Sequence, residues 1–404
     1  GSPLEREASA SGAEHTEVFP LLLFSLFGMM LFGASNDLIT MFVALEIFSL
    51  PLYLLAGLAR RRRMLSQEAA LKYFLLGALS SAFFLYGTAL LYGYSGTFTL
   101  RGIDAAVTAH PEGRGLLLAG MALVGVGLLF KVGAVPFHNW TPDVYTGSPT
   151  PVTGFMAICT KFAAVIALMR VFYVGLGGVR WDWQPLFALI AVLTMLVGSI
   201  VALTQTDVKR MLAYSSIAHA GFILVAVTGA STAATGLRPG GIGSVAAVSV
   251  YLVAYGFATL GAFGLVTMVR KAGGEATSLA AWQGIGRSNP VVGVLMTLFL
   301  LSFAGIPLTG GFIGKLVAFT AAWQGGYSWL VVVAILLSLV AAFIYFRMIV
   351  VMFFREPVDS DVQVASASWM TWLVVWIGAI GTLVLGVWGG PLLTLAEKAS
   401  VFLR

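Results

Sequence analysis

Long apolar runs separated by short polar connections repeat along nearly the whole chain. A helix that crosses a bilayer core of about 30 Å needs roughly 20 residues, because each residue advances the helix by about 1.5 Å. With that window, the pattern predicts eleven membrane-spanning helices, at residues 18–35, 37–58, 67–92, 115–136, 150–173, 184–204, 210–230, 242–269, 290–323, 328–353 and 369–391. The runs lack the two-residue alternation of a membrane barrel. The pattern therefore predicts an all-α polytopic membrane protein.

The composition supports this class and excludes several functions. Of 404 residues, 59% are hydrophobic and 10% are charged, which is far too apolar for a water-soluble enzyme. Cys159 is the only cysteine, so the chain cannot form an internal disulfide, a four-thiolate iron–sulfur cluster or a zinc knuckle. A phosphate-binding P-loop is also excluded, because Lys315 is followed by Leu316. We therefore expect no cofactor or metal on this chain, and any redox chemistry on another one.

The distribution of Arg and Lys predicts the orientation. Residues 60–63 are four consecutive arginines in one short connection, which the positive-inside rule assigns to the cytoplasm. With eleven alternating spans, the same side also receives Arg6, Lys209, Arg210, Arg270, Lys271, Arg287, Arg347 and Arg355, and the opposite side receives Arg101, Arg114, Arg180, Arg238, Lys398 and Arg404. The polar segment 1–17 is then cytoplasmic and the C-terminus lies outside. The net charge of +6 is therefore interpreted as a topology signal and not as a nucleic-acid surface.

Two of the predicted spans carry helix-breaking residues. Gly133 and Pro136 interrupt the fourth span, where we expect the break at Pro136, and Gly305, Pro307 and Gly310 interrupt the ninth. Proline removes a backbone hydrogen bond, and freed polar groups at membrane depth must line protein or water. The breaks lie five spans apart, and this odd number predicts two units that are inverted in the membrane. We expect a first five-helix repeat at 18–173, a second at 184–353, and a C-terminal helix and tail at 369–404.

Five ionisable residues remain inside the predicted spans: Glu46, Lys72, Lys131, Lys161 and Lys315. A charge at the bilayer centre costs about 3 kcal/mol or more, so such residues are functional candidates. Lys72 lies only five residues inside its span, and snorkelling of its long side chain to the interface stays open as an alternative. Glu46 and Lys161 lie near mid-span, while Lys131 and Lys315 lie beside the breaks, where a hydrated pocket is expected.

Lysine and glutamate together can form a proton-transfer element. Desolvation lowers the pKa of an ammonium group, and a nearby carboxylate raises it again, so a partner that engages and disengages makes the lysine gain and lose a proton near neutral pH. His138, after the first break, and His219 are possible relays, although a hydrogen-bonded structural histidine is an equal alternative. Asp143, Asp182 and Asp207 are interpreted as solvated or helix-capping residues.

Four ordered motifs, at residues 45–53, 131–152, 209–217 and 311–315, resemble the subunit N family of bacterial proton-pumping NADH:quinone oxidoreductase, or complex I. The similarity runs from about residue 18 to the C-terminus. The resemblance implies fourteen helices in two inverted five-helix repeats, each with a broken helix. The first span here would be the family's fourth helix, so we expect about three further helices on its N-terminal side.

The resemblance also implies roles for single residues. Glu46 matches the family's fifth-helix glutamate and Lys131 its seventh-helix lysine, which together form a modulating ion pair. Lys72 matches a sixth-helix lysine, Lys161 the central eighth-helix lysine and Lys315 the terminal twelfth-helix lysine, whereas subunit M usually has a glutamate there. His219 corresponds to a relay histidine.

The function implied by the resemblance is proton translocation from the cytoplasm to the outside, from Lys131 through Lys161 to Lys315. NADH oxidation and quinone reduction, with FMN, iron–sulfur clusters and quinone, would occur in sister subunits. The expected partners are other membrane-arm subunits, including a second antiporter-like subunit and the small multi-span subunits, in the bacterial plasma membrane. No nucleic-acid partner is expected.

Two rival functions remain open from the sequence. One is a stand-alone or Mrp-like secondary antiporter that exchanges Na⁺ or K⁺ for protons. The other is a scaffold subunit with vestigial lysines.

Overall fold

The computed structural model describes residues 17–59, 63–109, 114–230, 242–271, 274–357 and 361–400. The predicted cytoplasmic segment, except for Glu17, lies outside these residues, as do Arg60, Arg61 and Arg62 of the arginine cluster.

Helices dominate the described residues. The long ones are α1 Val18–Ala34, α2 Leu38–Ala56, α3 Arg63–Ser95, α5 Arg114–Val132, α7 Thr150–Gly175, α8 Arg180–Thr204, α9 Val208–Thr228, α10 Ser244–Val266, α12 Pro290–Ala304, α13 Gly310–Gln324, α14 Ser328–Phe354 and α15 Trp369–Val387. Shorter ones are α4 Leu100–Ala109, α6 Trp140–Gly147, α11 Ile285–Ser288 and α16 Gly390–Ala399, with 3₁₀ turns at Gly177–Val179 and Leu279–Trp282. Inside α7, Met156–Thr160 and Arg170–Gly175 are π-helical.

The predicted all-α membrane architecture is confirmed. Within the described residues, nine helices are each long and apolar enough to cross a membrane. A tenth predicted span corresponds to α1, which is apolar but has only 17 residues, and the eleventh to the broken pair α12 and α13. Each predicted span therefore corresponds to an observed helix or helix pair.

The connections between spans group at two opposite ends of the bundle. At one end, Leu279 N donates to Thr206 O at 2.7 Å and so joins the connections that follow α10 and α8. At the other end, Leu100 N donates to Asn36 O at 3.0 Å and joins the connections that follow α3 and α1. This grouping is the one that alternating crossings require.

A small antiparallel sheet marks the first of these ends, here called the hairpin end. Strand β1 Val269–Lys271 lies between β2 Gly274–Glu275 and β3 Gln363–Val364, with Arg270 opposite both Glu275 and Gln363. The span pattern did not predict these strands, because they lie in polar connections. There they satisfy backbone groups that a helix does not cover.

Exposed tryptophans lie at both ends of the bundle. Trp369 begins α15 at the hairpin end, and at the opposite end four tryptophans lie within one residue of a helix terminus, namely Trp181, Trp323, Trp329 and Trp388. Tryptophan favours the membrane–water interface, because its ring is apolar and its N–H is polar. These residues therefore indicate where the apolar belt of the bundle ends.

The two breaks share one backbone geometry, and the predicted break at Pro136 is wrong in position. Helix α5 ends at Val132, and Gly133 follows with a φ of +81°, while its N–H and that of Ala134 both bond to Leu129 O. This is a Schellman ending, in which a left-handed glycine terminates the helix. Pro136 lies three residues later, in a connection that has already left the helix.

The second break repeats this ending. Gly305 has a φ of +83°, and the N–H groups of Gly305 and Ile306 both bond to Leu301 O. Pro307 lies in the connection that follows, and Gly310 begins α13. Glycine is favoured at both helix ends, because a side chain disfavours a positive φ.

We predict that Gly305→Ala lowers thermal stability more than Gly326→Ala does. Both substitutions place an L side chain at a positive φ, of +83° and +92°, at a cost of about 1–2 kcal/mol. A Cβ on residue 305 would also lie 2.8 Å from Cδ of Lys315, whereas one on residue 326 would meet nothing within 4 Å. Thermal unfolding of the detergent-solubilised protein measures the difference. Equal losses would contradict a contact role for Gly305.

Candidate functional site

Three lysines lie in the interior of the bundle. Lys131, Lys161 and Lys315 are 2%, 3% and 6% exposed. With His219, which is also buried, they form what we call the central row. Each ammonium group there must obtain its hydrogen-bond acceptors from the protein or from bound water.

Lys131 is held by hydroxyl groups of α2. Its Nζ donates to Ser49 Oγ at 2.7 Å and to Tyr53 OH at 3.4 Å, and it lies 5.3 Å from the ring centroid of Phe48. Ser49 and Tyr53 follow Glu46 by three and seven residues, so all three side chains share one face of the helix.

The expected direct ion pair between Glu46 and Lys131 is not formed in this structure. Among the described residues, no carboxylate lies within 4.0 Å of Lys131 Nζ, and Oε1 of Glu46 is buried without a hydrogen-bond partner. Ser49 lies one helical turn from Glu46 and provides the acceptor that the ammonium group contacts.

Lys161 is held by a single residue of α9. Its Nζ donates to both the carbonyl and the hydroxyl of Ser216, at 2.6 and 2.7 Å. The π-helical segment Met156–Thr160 directly precedes Lys161. Such segments in α-helices are frequent at functional sites, because the extra residue per turn re-aims the side chains that follow.

The second helix break builds the site of Lys315. Its Nζ donates to the carbonyls of Phe303 and Ala304, both at 2.9 Å, and to Ser338 Oγ at 2.7 Å. These carbonyls end α12, where Gly305 stops the helix and leaves them without an intrahelical partner. The C-terminal end of a helix carries partial negative charge, so it stabilises an ammonium group.

His219 has partners on both ring nitrogens. Nδ1 lies 2.7 Å from Tyr251 OH, and Nε2 lies 3.3 Å from Tyr345 OH, which in turn contacts Ser215 Oγ at 2.6 Å. Its ring centroid lies 4.6 Å from that of Tyr255. A neutral imidazole in this setting can take a proton on one nitrogen and release one from the other.

Helix α9 sets the order of the central row. Ser216, His219 and Phe222 are three residues apart and share one face of the helix. Lys161 contacts Ser216, and Lys315 Nζ lies 4.9 Å from the ring centroid of Phe222. Residues 216 and 222 are separated by about 9 Å along the helix axis. His219 therefore lies between the two lysines.

A cavity of about 10 Å³ adjoins His219. Tyr251, Tyr255 and Ser302 line it, together with Gly311 and Gly314 of α13. This volume is about the space that one water molecule needs. A water there would extend the hydrogen-bonding reach of the histidine.

Aromatic rings occupy the space between Lys131 and Lys161. Lys131 Nζ lies 5.9 Å from the ring centroid of Tyr73, which stacks on Trp140 at 4.7 Å. Trp140 contacts Tyr145, with ring centroids 6.2 Å apart, and Lys161 Nζ lies 5.6 Å from the ring centroid of Tyr255. The hydroxyl of Tyr73 is buried and has no hydrogen-bond partner among the described residues.

Lys72 does not lie on this row. Its side chain is 41% exposed, and Nζ forms ion pairs with Glu68 at 2.6 Å and Asp143 at 2.7 Å. None of these contacts reaches Lys131, Lys161 or Lys315, and a relay role for Lys72 stays a prediction. The acidic partners and the exposure agree with the snorkelling alternative, since they keep the ammonium group near the hairpin end.

Asp143 is a residue whose importance the sequence interpretation missed. One carboxylate oxygen pairs with Lys72, and the other lies 2.6 Å from Arg210 NH1 on α9. Burial raises the pKa of Asp143, but hydrogen bonds from Lys72 and Arg210 outweigh it and hold the pKa below its ordinary value. The residue lies inside the 131–152 motif, and that position was the available signal.

His138 is half-buried in the connection after the first break. Burial lowers its pKa, and Nδ1 has no hydrogen-bond partner among the described residues. None of the contacts described for it reaches Lys131. A relay role for His138 therefore stays a prediction.

No group of three or more His, Cys, Asp or Glu side chains in the described part of the chain is arranged to hold a metal ion.

We predict that Asp143→Asn removes an acid-sensitive contribution to stability. The folded-state pKa of Asp143 lies below its unfolded value, so its ion pairs stabilise the fold above about pH 4 and are lost as the pH falls further. The difference in melting temperature between wild type and Asp143→Asn should therefore be largest near neutral pH and shrink below about pH 4. Asp182→Asn is the control, because Asp182 lies 3.9 Å from Arg114 in an exposed pair. A difference that does not change with pH would contradict the assignment.

This chain matches a known protein family and is similar to several named proteins. The family described as "NADH:quinone oxidoreductase/Mrp antiporter, TM" matches residues 35–341. NADH-quinone oxidoreductase subunit N of Cutibacterium acnes is 60% identical over 406 residues, which cover 100% of this chain and 76% of that protein. The subunit N of Rhodococcus opacus is 57% identical and is covered to 73%. This chain thus spans about three quarters of the length of these relatives.

Solved structures show the same similarity. A chain of respiratory complex I from Thermus thermophilus with bound aureothin is 38% identical, with a TM-score of 0.79 and coverage of 94% of this chain and 80% of that one. A chain of the Mrp complex from Dietzia sp. is 22% identical with a TM-score of 0.81, covering 95% of this chain and 77% of that one, and it shares the fold.

Proposed function

The chain belongs to the subunit N family of NADH-quinone oxidoreductases, and from this premise we propose that it translocates protons through the central row. It is an antiporter-like membrane subunit of complex I type. In the proposal, protons pass from Lys131 to Lys161, then by way of His219 to Lys315, and Glu46 modulates Lys131. NADH oxidation and quinone reduction occur in other subunits, which hold FMN, the iron–sulfur clusters and quinone.

One observation carries the proposal: buried lysines whose contacts are neutral acceptors. Lys161 contacts Ser216, and Lys315 contacts Ser338 and two backbone carbonyls. No carboxylate in the described part of the chain lies within 4.0 Å of either ammonium group. A neutral acceptor tolerates both the protonated and the neutral lysine, whereas a bound carboxylate would keep it charged. Such a site suits a group that gains and loses a proton.

The first transfer depends on the contact between Lys131 and Ser49. A proton on Nζ of Lys131 is stabilised when Glu46 approaches and released when Glu46 withdraws. Ser49 contacts the ammonium group one turn away from Glu46, so it provides a neutral partner for the withdrawn state. The released proton crosses the space beside Tyr73 to neutral Lys161, with water completing the path.

The second transfer follows α9. Lys161 releases its proton toward His219, which takes it on one ring nitrogen and releases another from the second nitrogen toward Lys315. Ser338 contacts Lys315 and is half-buried, so the path leaves the interior there. Each step moves one proton and restores the donor to its neutral form.

We assign the hairpin end to the cytoplasm and the opposite end to the outside of a bacterial plasma membrane. Arg63, Lys271, Arg287 and Arg355 lie in or beside connections at the hairpin end, as the positive-inside rule favours. The proposed partners are the other membrane-arm subunits, including a second antiporter-like subunit and the small multi-span subunits.

Lys131→Ala should lower NADH-driven proton translocation in membranes that contain the whole enzyme. We expect a fall of at least about threefold, because proton transfer through a positioned side chain contributes 10²–10⁴-fold in typical cases. Quenching of a pH-sensitive dye in inverted vesicles, with NADH oxidation followed in parallel, measures the effect. Lys398→Ala is the control, because Lys398 lies near the end of the short helix α16, away from the row.

Full wild-type rates of oxidation and translocation in Lys131→Ala would exclude the proposed role of that residue. Loss of translocation that returns only when Na⁺ or K⁺ is supplied would favour a cation antiporter instead.

Ser49→Ala should slow translocation by strengthening the hold of Glu46 on Lys131. Without the hydroxyl, the ammonium group loses its 2.7 Å partner and is drawn toward the carboxylate. A neutral hydrogen bond contributes about 0.5–1.5 kcal/mol, which corresponds to a two- to tenfold slowing. In a Glu46→Gln background the same substitution should have little further effect, because the competing carboxylate is gone. Additive effects of Ser49→Ala and Glu46→Gln in the double variant would contradict the proposed competition between Ser49 and Glu46 for Lys131.

A further inference from the structure

A buried ion pair lies at the hairpin end, away from the central row. Nζ of Lys209 lies 3.4 Å from Oε2 of Glu275, and the two side chains are 0% and 8% exposed. Lys209 lies in the first turn of α9, whereas Glu275 ends strand β2. A pair this deeply buried stabilises a protein only if further hydrogen bonds satisfy both partners.

These further hydrogen bonds go to the start of α7. Oε1 of Glu275 accepts from Thr150 N at 3.3 Å, and Nζ of Lys209 donates to Ser148 O at 2.6 Å. Thr150 is the first residue of α7, the helix that carries Lys161. The N-terminus of a helix has unsatisfied N–H groups and partial positive charge, so a carboxylate there stabilises it.

Backbone bonds fix this pair relative to α9. Val208 N donates to Thr277 O and Leu279 N donates to Thr206 O, both at 2.7 Å. Ser278, after β2, therefore forms an antiparallel bridge with Asp207, the residue before α9. Glu275 cannot move away from that helix without breaking these bonds.

Two of the attachments between α7 and α9 lie on either side of the first π-helical segment of α7. One is Thr150, through Glu275 and Lys209, and the other is Lys161, through Ser216. The points are eleven residues apart, or about 16 Å along a helix. The π-helical segment Met156–Thr160 lies between them. A π-helical turn accommodates an extra residue. The helical register between Thr150 and Lys161 is therefore fixed only while both attachments to α9 are present.

We infer that Glu275 and Lys209 are positioning residues, which fix the start of α7 so that Lys161 lies against its acceptor Ser216. This inference rests on the proposed function of Lys161. Without the first attachment, the π-helical segment can relax and displace Lys161 from Ser216. Neither residue is placed on the proton path.

The test replaces both charges with side chains of similar volume. In Lys209→Met/Glu275→Met both members of the pair are replaced, so neither is left as a buried charge without the other, and the enzyme should assemble, since buried pairs tolerate such replacement. NADH-driven proton translocation should fall at least about threefold, because a displacement of about 1 Å at a reacting group can cost up to 10²-fold. Modification of Cys159, two residues before Lys161, by a small maleimide should accelerate, as followed by peptide mass spectrometry. Arg287→Met/Glu356→Met, an exposed pair at the same end, is the matched control.

A second variant tests the positioning role if Lys209→Met/Glu275→Met does not assemble. Glu275→Asp keeps the charge but is one methylene too short to reach both Thr150 and Lys209, so it should lower translocation in the same way. Wild-type translocation in either assembled variant overturns the inference. Lys161→Ala, measured alongside, separates the two proposals. If it translocates at the wild-type rate, the proposed function itself fails; if it does not, wild-type translocation in Lys209→Met/Glu275→Met removes only the positioning role.

Discussion

An ammonium group at membrane depth needs oxygen acceptors, and bulk water is not there to supply them. Most features of the central row follow from this constraint. Gly305 ends α12 early, and the freed carbonyls of Phe303 and Ala304 accept hydrogen bonds from Lys315. A break that would otherwise leave costly unsatisfied groups in the bilayer thereby becomes a cation site. The ammonium group of Lys315 and the carbonyls freed by the break satisfy each other's hydrogen-bonding needs. This explains why the lysine and the break occur together.

The first break serves Lys131 differently. There the lysine lies before the glycine, and its contacts come from hydroxyls on the neighbouring helix α2. The two breaks therefore share a backbone ending but not a lysine environment. Hydroxyl partners can be exchanged by rotation of a side chain, whereas the carbonyls of Phe303 and Ala304 are fixed in the backbone. This difference fits the roles proposed for Lys131 as the modulated lysine and for Lys315 as the terminal one.

The membrane spans and the buried positions of Lys131, Lys161 and Lys315 could be predicted from the sequence, because hydropathy directly reports burial in a bilayer. The hydrogen-bond partners of these lysines could not be predicted. Ser49, Ser216 and Ser338 are common residues with no local signature, and only the packing of separate helices brings them to the lysines. The ending at Gly133 was mistaken for one at Pro136 because proline is the stronger breaker in isolation, while the Schellman bonds that favour glycine depend on backbone geometry.

Helix α9 connects these observations. It is buried on almost all sides, so its sequence shows no apolar stripe that would distinguish a core-facing side from a polar side. In such a helix polar side chains must find their partners inside the protein, and these partners lie at two places. Lys209 and Arg210 connect it to the hairpin end, while Ser216 and His219 connect it to the central row. A shift of α9 along its axis would therefore alter the attachments at the hairpin end and the lysine contacts together. The polar residues of a fully buried helix are thus the positions at which two distant sites can be coupled.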